Sequence, residues 1–438
     1  MEEQEINIFR DIICNFCGCC CDDLEIHVSM KDNRIMETRN ACRISHEKFI
    51  SAHRHRLTTP LLRKNSAFQE ISFEEAIDQT VDALNAADRP LLYGWSTMTT
   101  EAMRHGIELA EILGAAIDNS TSVCHGPSTL AVQEVGIPSC SLGEIKNRAD
   151  LVIYWGSNPI HAHPRHMSRY SIFPRGYFRE RAMKDRKRVI IDPRKTASAH
   201  QADLYIQVEP GKDFELLAAL RTTLRTGRPP KAPVAGVSPE QIEELLELCL
   251  EATFGIIFFG VGLTMSSGRH RNIDAAISLV IDLNEKTKFS IMPMRGHGNV
   301  KGACAVFTWL AGYPFSIDFS RRYARYNPGE YSAVDILARK EADAALILGA
   351  DPASHFPSSA ARHLFDIPTI FIAPHWAPTM ELSQIVIPAA MSGVEVEGTV
   401  YRMDGVPFRL RRVIEPPEGV FSDEYILEVL LNCFKETE

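Results

Sequence analysis

"ADLVIYWGSNPIHAHP" runs from Ala149 to Pro164, and "ADAALILGADPASHFP" runs from Ala342 to Pro357. Aligned without gaps, both read Ala-Asp, five mostly apolar residues, Gly, one small residue, Asn or Asp, Pro, and a second Pro five positions on. An apolar run with no polar alternation marks a strand buried on both faces, as in a parallel sheet. Gly permits close backbone approach, and a short Asn or Asp can accept hydrogen bonds from a ribose or base. In parallel α/β sheets ligands sit beyond the C-terminal ends of strands, which is where this turn falls. Each copy leads to a further apolar strand, "VIIDPR" (189–194) and "IFIAPH" (370–375). The duplication predicts two equivalent ligand sites; chance likeness between buried strands is the competing explanation.

Working outward, short apolar strands alternate with amphipathic helices, the pattern of a parallel α/β sheet. One set of strand candidates is "PLLYGW" (90–95), "DLVIYW" (150–155), "RVIID" (188–192) and "LYIQV" (204–208). A later set is "GIIFFG" (255–260), "FSIMPM" (289–294), "AALILG" (344–349), "TIFIA" (369–373) and "QIVIP" (384–388). Helices are expected over 100–113, 212–225, 240–251 and 270–285. The Pro- and Gly-rich segment "RTGRPPKAPVAGVSPE" (225–240) reads as a linker between the two sets. Near the N-terminus, "LEIHVSMKDNRIMET" reads as a hairpin with a polar turn at 31–33.

A chain of 438 residues has room for two to four domains. A net charge of −9 weakens any electrostatic case for nucleic acid. The basic patch "HRHR" (53–56) is either a phosphate contact or a solvated turn. No apolar run approaches the roughly 20 residues that cross a bilayer, and the acidic "MEEQEINIFRD" is no signal peptide, so no membrane and a cytoplasmic location are expected.

In that reducing compartment eleven cysteines argue against a disulfide framework. Five of them, Cys14, Cys17, Cys19, Cys20 and Cys21, crowd into eight residues, which points to metal or cluster ligation. Cys14, Cys17, Cys21 and Cys42 give the spacing C-x2-C-x3-C-x20-C. Four thiolates suit a [4Fe–4S] cluster, and a four-cysteine zinc site is the rival. Cys19 and Cys20 compete for the same assignment. Cys124, in "DNSTSVCHGPS" (118–128), is either a small buried thiol or a reactive, metal-binding one beside His125. Arg295 lies in the Gly-rich "MPMRGHGNVKGA" (292–303), where backbone amides can wrap an anion and an arginine can hold a carboxylate in bidentate fashion.

These pieces together resemble the B subunits of formylmethanofuran dehydrogenase, within the molybdopterin oxidoreductase superfamily. The resemblance is carried by "CNFCGCCCDD" with "NAC" (40–42), "VCHGPS", "WGSNP", "IDPRKTASA", "PGKDFELL", "MRGHGNVKGA" and "GADP". It extends to "EVEGTVYRMDG" (395–405) and so covers nearly the whole chain. It implies an α/β chain with a small N-terminal iron–sulfur domain (1–60) and two Rossmann-like αβα domains with parallel sheets, related by the internal pseudo-repeat. The first αβα domain is expected over 61–230 with part of the C-terminal region, the second over 240–438, the two free to interleave.

The resemblance further implies a [4Fe–4S] cluster on Cys14, Cys17, Cys21 and Cys42, and two molybdopterin guanine dinucleotides sharing one Mo or W, with Cys124 as the metal's protein ligand. Gly156, Asn158, Asp192, Arg194, Asp203 and Asp213 would serve one dinucleotide. Gly349, Asp351 and the 295–302 loop, with Gly296 and Asn299, would serve the other or the pterins, and Lys48 would lie between cluster and pterin. The implied reaction is reversible two-electron reduction of CO2 to formate, a step of methanogenesis. His125, an imidazole expected near neutral pKa, would move the proton, and Arg295 would orient the substrate oxygens.

Implied partners are an amidohydrolase-like subunit that joins formate to methanofuran, ferredoxin-like electron carriers, and a barrel subunit completing the pterin pocket. The last is expected because this chain looks too short to hold the barrel domain that many members carry. The competing functions are a stand-alone formate dehydrogenase or other molybdopterin reductase, and a noncatalytic electron-transfer or scaffold subunit.

Overall fold

The computed structural model describes residues 6–65 and 67–436; the first five residues of the acidic N-terminus lie outside them. The chain forms two compact units. One comprises residues 1–123, 297–402 and 407–438, and the other 124–296 with 403–406. The second unit is therefore inserted into the first, entered at Cys124 and left at Gly296.

In the inserted unit the repeat strand Leu151–Trp155 is buried along its whole length, as its unbroken apolar run requires. It is the centre of a five-stranded parallel sheet in the order Leu204–Ile206, Lys187–Ile191, Leu151–Trp155, Phe254–Phe259, Lys288–Pro293. The helices Asp213–Thr226, Pro239–Glu251 and His270–Leu283 bury their apolar stripes in the core built with this sheet. Ser238 starts the second of them with a capping box to Gln241, which fixes its entry.

The first unit holds a nine-stranded mixed sheet. Its parallel centre has the order Ala116–Asn119, Pro90–Gly94, Ala344–Leu348, Thr369–Ala373, Ile385–Pro388. Antiparallel strands close both edges, Leu61–Lys64 and Ala67–Glu70 on one side, Ile317–Asp318 and Arg325–Tyr326 on the other. The same unit contains a three-stranded antiparallel meander, Ile6–Ile12, Leu24–Ser29 and Arg34–Arg39, whose last two strands form the expected hairpin. Among the described residues no helix is long and apolar enough to cross a membrane.

The expected linker at 225–240 is a loop inside the inserted unit, not a boundary. The strands Phe254–Phe259 and Lys288–Pro293 join the sheet of Leu151–Trp155, while Pro90–Gly94 pairs with Ala344–Leu348. Strand partners this far apart leave no mark in a local pattern, so grouping strands by sequence proximity misassigned them. The two parallel cores nevertheless share one plan. From the repeat strand the next two strands run out to one side, and a consecutive pair fills the other. That pair follows the repeat strand in the inserted unit and precedes it in the first. One sheet is thus a circular permutation of the other, and Lys288–Pro293 occupies the place in its sheet that Ala116–Asn119 occupies in the other.

Candidate functional site

Cys124 and Arg295 each follow the corresponding edge strand of the two permuted cores. The loop leading to Cys124 is pinned by Asp118, which accepts from the backbone amides of Asn119, Ser316 and Ala333 and from the Ser122 hydroxyl. Burial still outweighs these bonds and pushes the Asp118 carboxyl up to about 6. Cys124 is half-buried, and its carbonyl accepts from Thr264 Oγ1 at 2.7 Å. His125 follows at the start of the helix Gly126–Val135, a terminus whose dipole favours a neighbouring thiolate.

Within the inserted unit, His125 and Arg295 are brought together. The His125 Nε2 donates to the Met294 carbonyl at 3.2 Å, and its Nδ1 accepts from the Ser128 hydroxyl at 3.0 Å. The next carbonyl, that of Arg295, accepts from His163 Nε2 at 2.8 Å. Two buried histidines therefore grip consecutive carbonyls at the root of Arg295, which is itself buried. The near-neutral imidazole expected at His125 is not found. Burial first, and then the Arg295 charge, push it down to about 3, so the ring is neutral with its proton on Nε2. His163 is also pushed down by burial, and among the described residues its Nδ1 has no hydrogen-bond partner.

Both repeats end in the same local structure. Gly156 has φ +56° and Gly349 φ +55°, left-handed values that disfavour a side chain. Each is followed by a four-residue helix, Pro159–Ala162 after Asn158 and Pro352–His355 after Asp351. A Cβ on Gly156 would lie 2.6 Å from Leu263 N and within 3 Å of Gly262, while one on Gly349 would lie 2.5 Å from Thr97 Oγ1. These glycines lie, in each unit separately, at the C-terminal ends of the repeat strand and the neighbour that starts the other half of the sheet, where open parallel sheets form a crevice. Strand order reverses there, and nucleotides bind at such switch points. Around the first crevice, Asp192 and Arg194 follow the strand Lys187–Ile191, and Asp192 Oδ1 accepts from the Arg194 amide. Asp213 begins its helix and accepts from Trp155 Nε1 at 2.8 Å. Asn158 Oδ1 accepts from Ser198, and Asp351 Oδ1 accepts from the amide and hydroxyl of Thr379. Gly296 has open space where a side chain would stand.

Two expected cofactor residues have their side chains engaged by the protein itself. Asp203 precedes its strand and pairs with Arg188 through both oxygens, at 2.9 and 3.0 Å, at the N-terminal edge of the parallel sheet. That is the edge opposite to the one where ligands bind, so Asp203 is an edge ion pair. Asn299 is buried and its amide is spent on backbone, donating to the carbonyls of Met98 and Thr399 and accepting from the Tyr401 amide. These bonds join separate stretches of the first unit. The "HRHR" patch likewise gives up Arg56, which is buried against Glu395 and the carbonyls of Leu57, Pro374 and Ala389. The sequence reading missed Gly260 and Gly262, which close on Gly156, although "FFGVG" after a strand is a visible signal. It also passed over His163, whose value lies in a carbonyl 132 residues away.

In the first unit the cysteine segment folds on itself. The Cys14 amide donates to Cys21 O at 2.8 Å, and Cys20, at φ +39°, turns the chain between Cys17 and Cys21. Cys42 caps the helix Arg43–Ile50, its sulfur accepting from the Ser45 amide at 3.4 Å. On that helix Lys48 places its ammonium 5.1 Å from the Phe16 ring. A hydrogen bond from Cys19, and then the Lys48 charge, pull the Cys17 thiol below its ordinary value against the effect of burial, whereas burial pushes Cys14 and Cys20 up. Cys20 is buried and donates to the Gly298 carbonyl, so it is a structural thiol. Among the described residues no three His, Cys, Asp or Glu side chains gather around a point as a single ion requires.

The sequence profile described as "Molybdopterin oxidoreductase" matches residues 56–432. The chain is 54% identical to the B subunit of the tungsten-containing formylmethanofuran dehydrogenase 2 of Methanocaldococcus jannaschii, over 98% of this chain and 99% of that protein. It is 49% identical to the protein of the same description from Methanococcus maripaludis, over 98% of this chain and 100% of that one. Among solved structures, a chain of the formyltransferase/hydrolase complex (FhcABCD) of Methylorubrum extorquens, in complex with methylofuran, is similar in fold, with TM-score 0.71 and 22% identity over 86% of this chain and 99% of that one. The chain is an oxidoreductase that belongs to the molybdopterin oxidoreductase family and, within it, to the B subunits of formylmethanofuran dehydrogenase.

Proposed function

We propose that this chain is the catalytic subunit of a multisubunit formylmethanofuran dehydrogenase and performs the reversible reduction of CO2 to formate. CO2 takes up two electrons and one proton to give HCOO⁻. The observation that carries the reading is the joining of Cys124, His125 and Arg295 in one unit, with His125 and His163 holding the successive carbonyls of Met294 and Arg295. The comparisons support it through relatives that are described as tungsten-containing.

The residues present fit the groups this function needs. Half-buried Cys124 would hold Mo or W, which when bound would supply the two-electron chemistry. The glycine-lined crevices at Gly156 and Gly349 would each take one guanine dinucleotide, with Asn158, Asp192, Arg194 and Asp213 at the first and Asp351 at the second. Arg295 would orient the substrate carboxylate by charge-assisted hydrogen bonds. His125, neutral and bonded at both ring nitrogens, would act by fixing the Met294 carbonyl and by accepting and donating hydrogen bonds, not as a near-neutral titrating base. Cys14, Cys17, Cys21 and Cys42 would hold the [4Fe–4S] inlet, with Lys48 beside it. Formate would pass to an amidohydrolase-like subunit for condensation with methanofuran, while a barrel subunit completes the pterin pocket and ferredoxin-like carriers supply electrons.

The test uses the purified complex. Near-stoichiometric tungsten or molybdenum with guanine dinucleotide is expected, and Cys124→Ala should abolish formate oxidation while leaving the reduced-cluster EPR signal at full intensity. Iron without Mo or W would leave only the electron-transfer role. Unchanged activity in Cys124→Ala would remove that sulfur from the site.

A further inference from the structure

We infer that the loop 172–188 of the inserted unit is a docking surface for another subunit, one presenting an apolar notch ringed by carboxylates. The inference rests on the multisubunit reading above and adds where one contact is made.

Four large apolar side chains lie exposed within eleven residues of this loop: Phe173 at 40%, Tyr177 at 78%, Phe178 at 51% and Met183 at 45%. Tyr177 and Phe178 form the tip of a tight turn, closed by paired backbone bonds of 3.1 Å between Gly176 and Arg179. Their rings meet edge to face at 4.8 Å, and the Arg148 guanidinium stands 4.6 Å from the Phe178 ring.

The turn is held rigidly although its tip is bare. Asn147 accepts from both tip amides, through Oδ1 for Tyr177 at 2.9 Å and through its carbonyl for Phe178 at 3.1 Å. Arg179 ties the turn to the Arg148 carbonyl and to Asp150. Buried Arg186 gathers the carbonyls of Ile172, Pro174 and Lys146 from beneath. Exposing aromatic rings to water has no benefit to this chain alone, whereas rings already fixed in place lose little freedom when a partner covers them. Aromatic residues rimmed by arginine are also the composition of interface hot spots.

Charge selects the partner. Residues 173–188 carry seven Lys or Arg against two acids, in a chain of net charge −9. Arg179, Arg181 and Arg188 are engaged by Asp150, Asp185 and Asp203, but among the described residues no ion pair takes Arg175, Lys184 or Lys187. A surface of carboxylates would be steered to this rim and complement it.

The test is subunit composition of the tagged native complex by native mass spectrometry across a salt series. Two variants are compared with wild type, Tyr177→Ser with Phe178→Ser, and Arg175→Glu with Lys184→Glu. Each should weaken retention of one subunit about tenfold or more, in the range of hot-spot truncations, with the metal content and melting temperature of this chain unchanged. The charge pair alters only exposed side chains, so it decides the matter if the aromatic pair impairs folding. Retention of every subunit at wild-type salt resistance in the charge pair overturns the inference and leaves the multisubunit reading standing. So does loss only of self-association or of bound nucleic acid. A wild-type chain that purifies without partners overturns both.

Discussion

At the scale of single residues, the proposed role of Arg295 depends on what holds its backbone as much as on its side chain. His163 donates to its carbonyl at 2.8 Å from a buried ring. Removing the ring leaves that carbonyl without its donor, a loss of about 1–3 kcal/mol. If His163 positions Arg295, His163→Ala should raise the formate KM about tenfold, while tungsten and iron contents stay at wild-type levels. Gln keeps an N–H donor, so His163→Gln should recover part of the loss. A purely structural histidine would instead lower melting temperature and metal content together and leave KM alone. Cys124, His125 and Arg295 stand out as candidates in the sequence because each sits in a loop after a strand with unusual neighbours. His163 does not, since a histidine in a polar loop shows its worth only through the carbonyl it meets.

At the scale of elements, the repeated strand-turn-helix is the unit that shapes each crevice. Its sequence signature, Gly-x-(Asn/Asp)-Pro, is local, and its geometry recurs within one degree of φ at Gly156 and Gly349. Gly156→Ala places a non-glycine residue in the left-handed region, costing about 1–2 kcal/mol, and forces its Cβ against the backbone of Leu263. The variant should melt lower and, released by acid treatment, yield about half the guanine nucleotide of wild type, if each crevice holds one dinucleotide. Full nucleotide content would remove this crevice from cofactor binding. Asp203 shows the limit of reading elements from sequence. It precedes a strand, whereas a ligand-side residue follows one, and its partner Arg188 on the neighbouring strand is fixed only by the pairing of the two strands.

At the scale of the molecule, the first unit is assembled from three stretches of chain, and buried polar staples join them. Arg56 and Glu395 form one such pair, with side chains 6% and 4% exposed and 339 positions apart in the chain. Glu395→Ala leaves a buried guanidinium without its countercharge, which should cost about 3–5 kcal/mol and show as a lower unfolding midpoint in denaturant. A shift below about 1 kcal/mol would mean that the three carbonyls around Arg56 compensate alone.

By itself the sequence determined the class of fold, the strands and helices, the duplicated turn and the residue types gathered in the cysteine and Arg295 loops. Each of these is written in contiguous residues, through apolar runs, periodicity and glycine placement. Tertiary structure alone decided which strands share a sheet, that one unit is inserted into a permuted copy of its plan, and which partners Asp203 and Asn299 bond to. Sheet pairing, strand direction and buried hydrogen bonds are fixed by partners distant in the chain, and nothing in a local pattern records them.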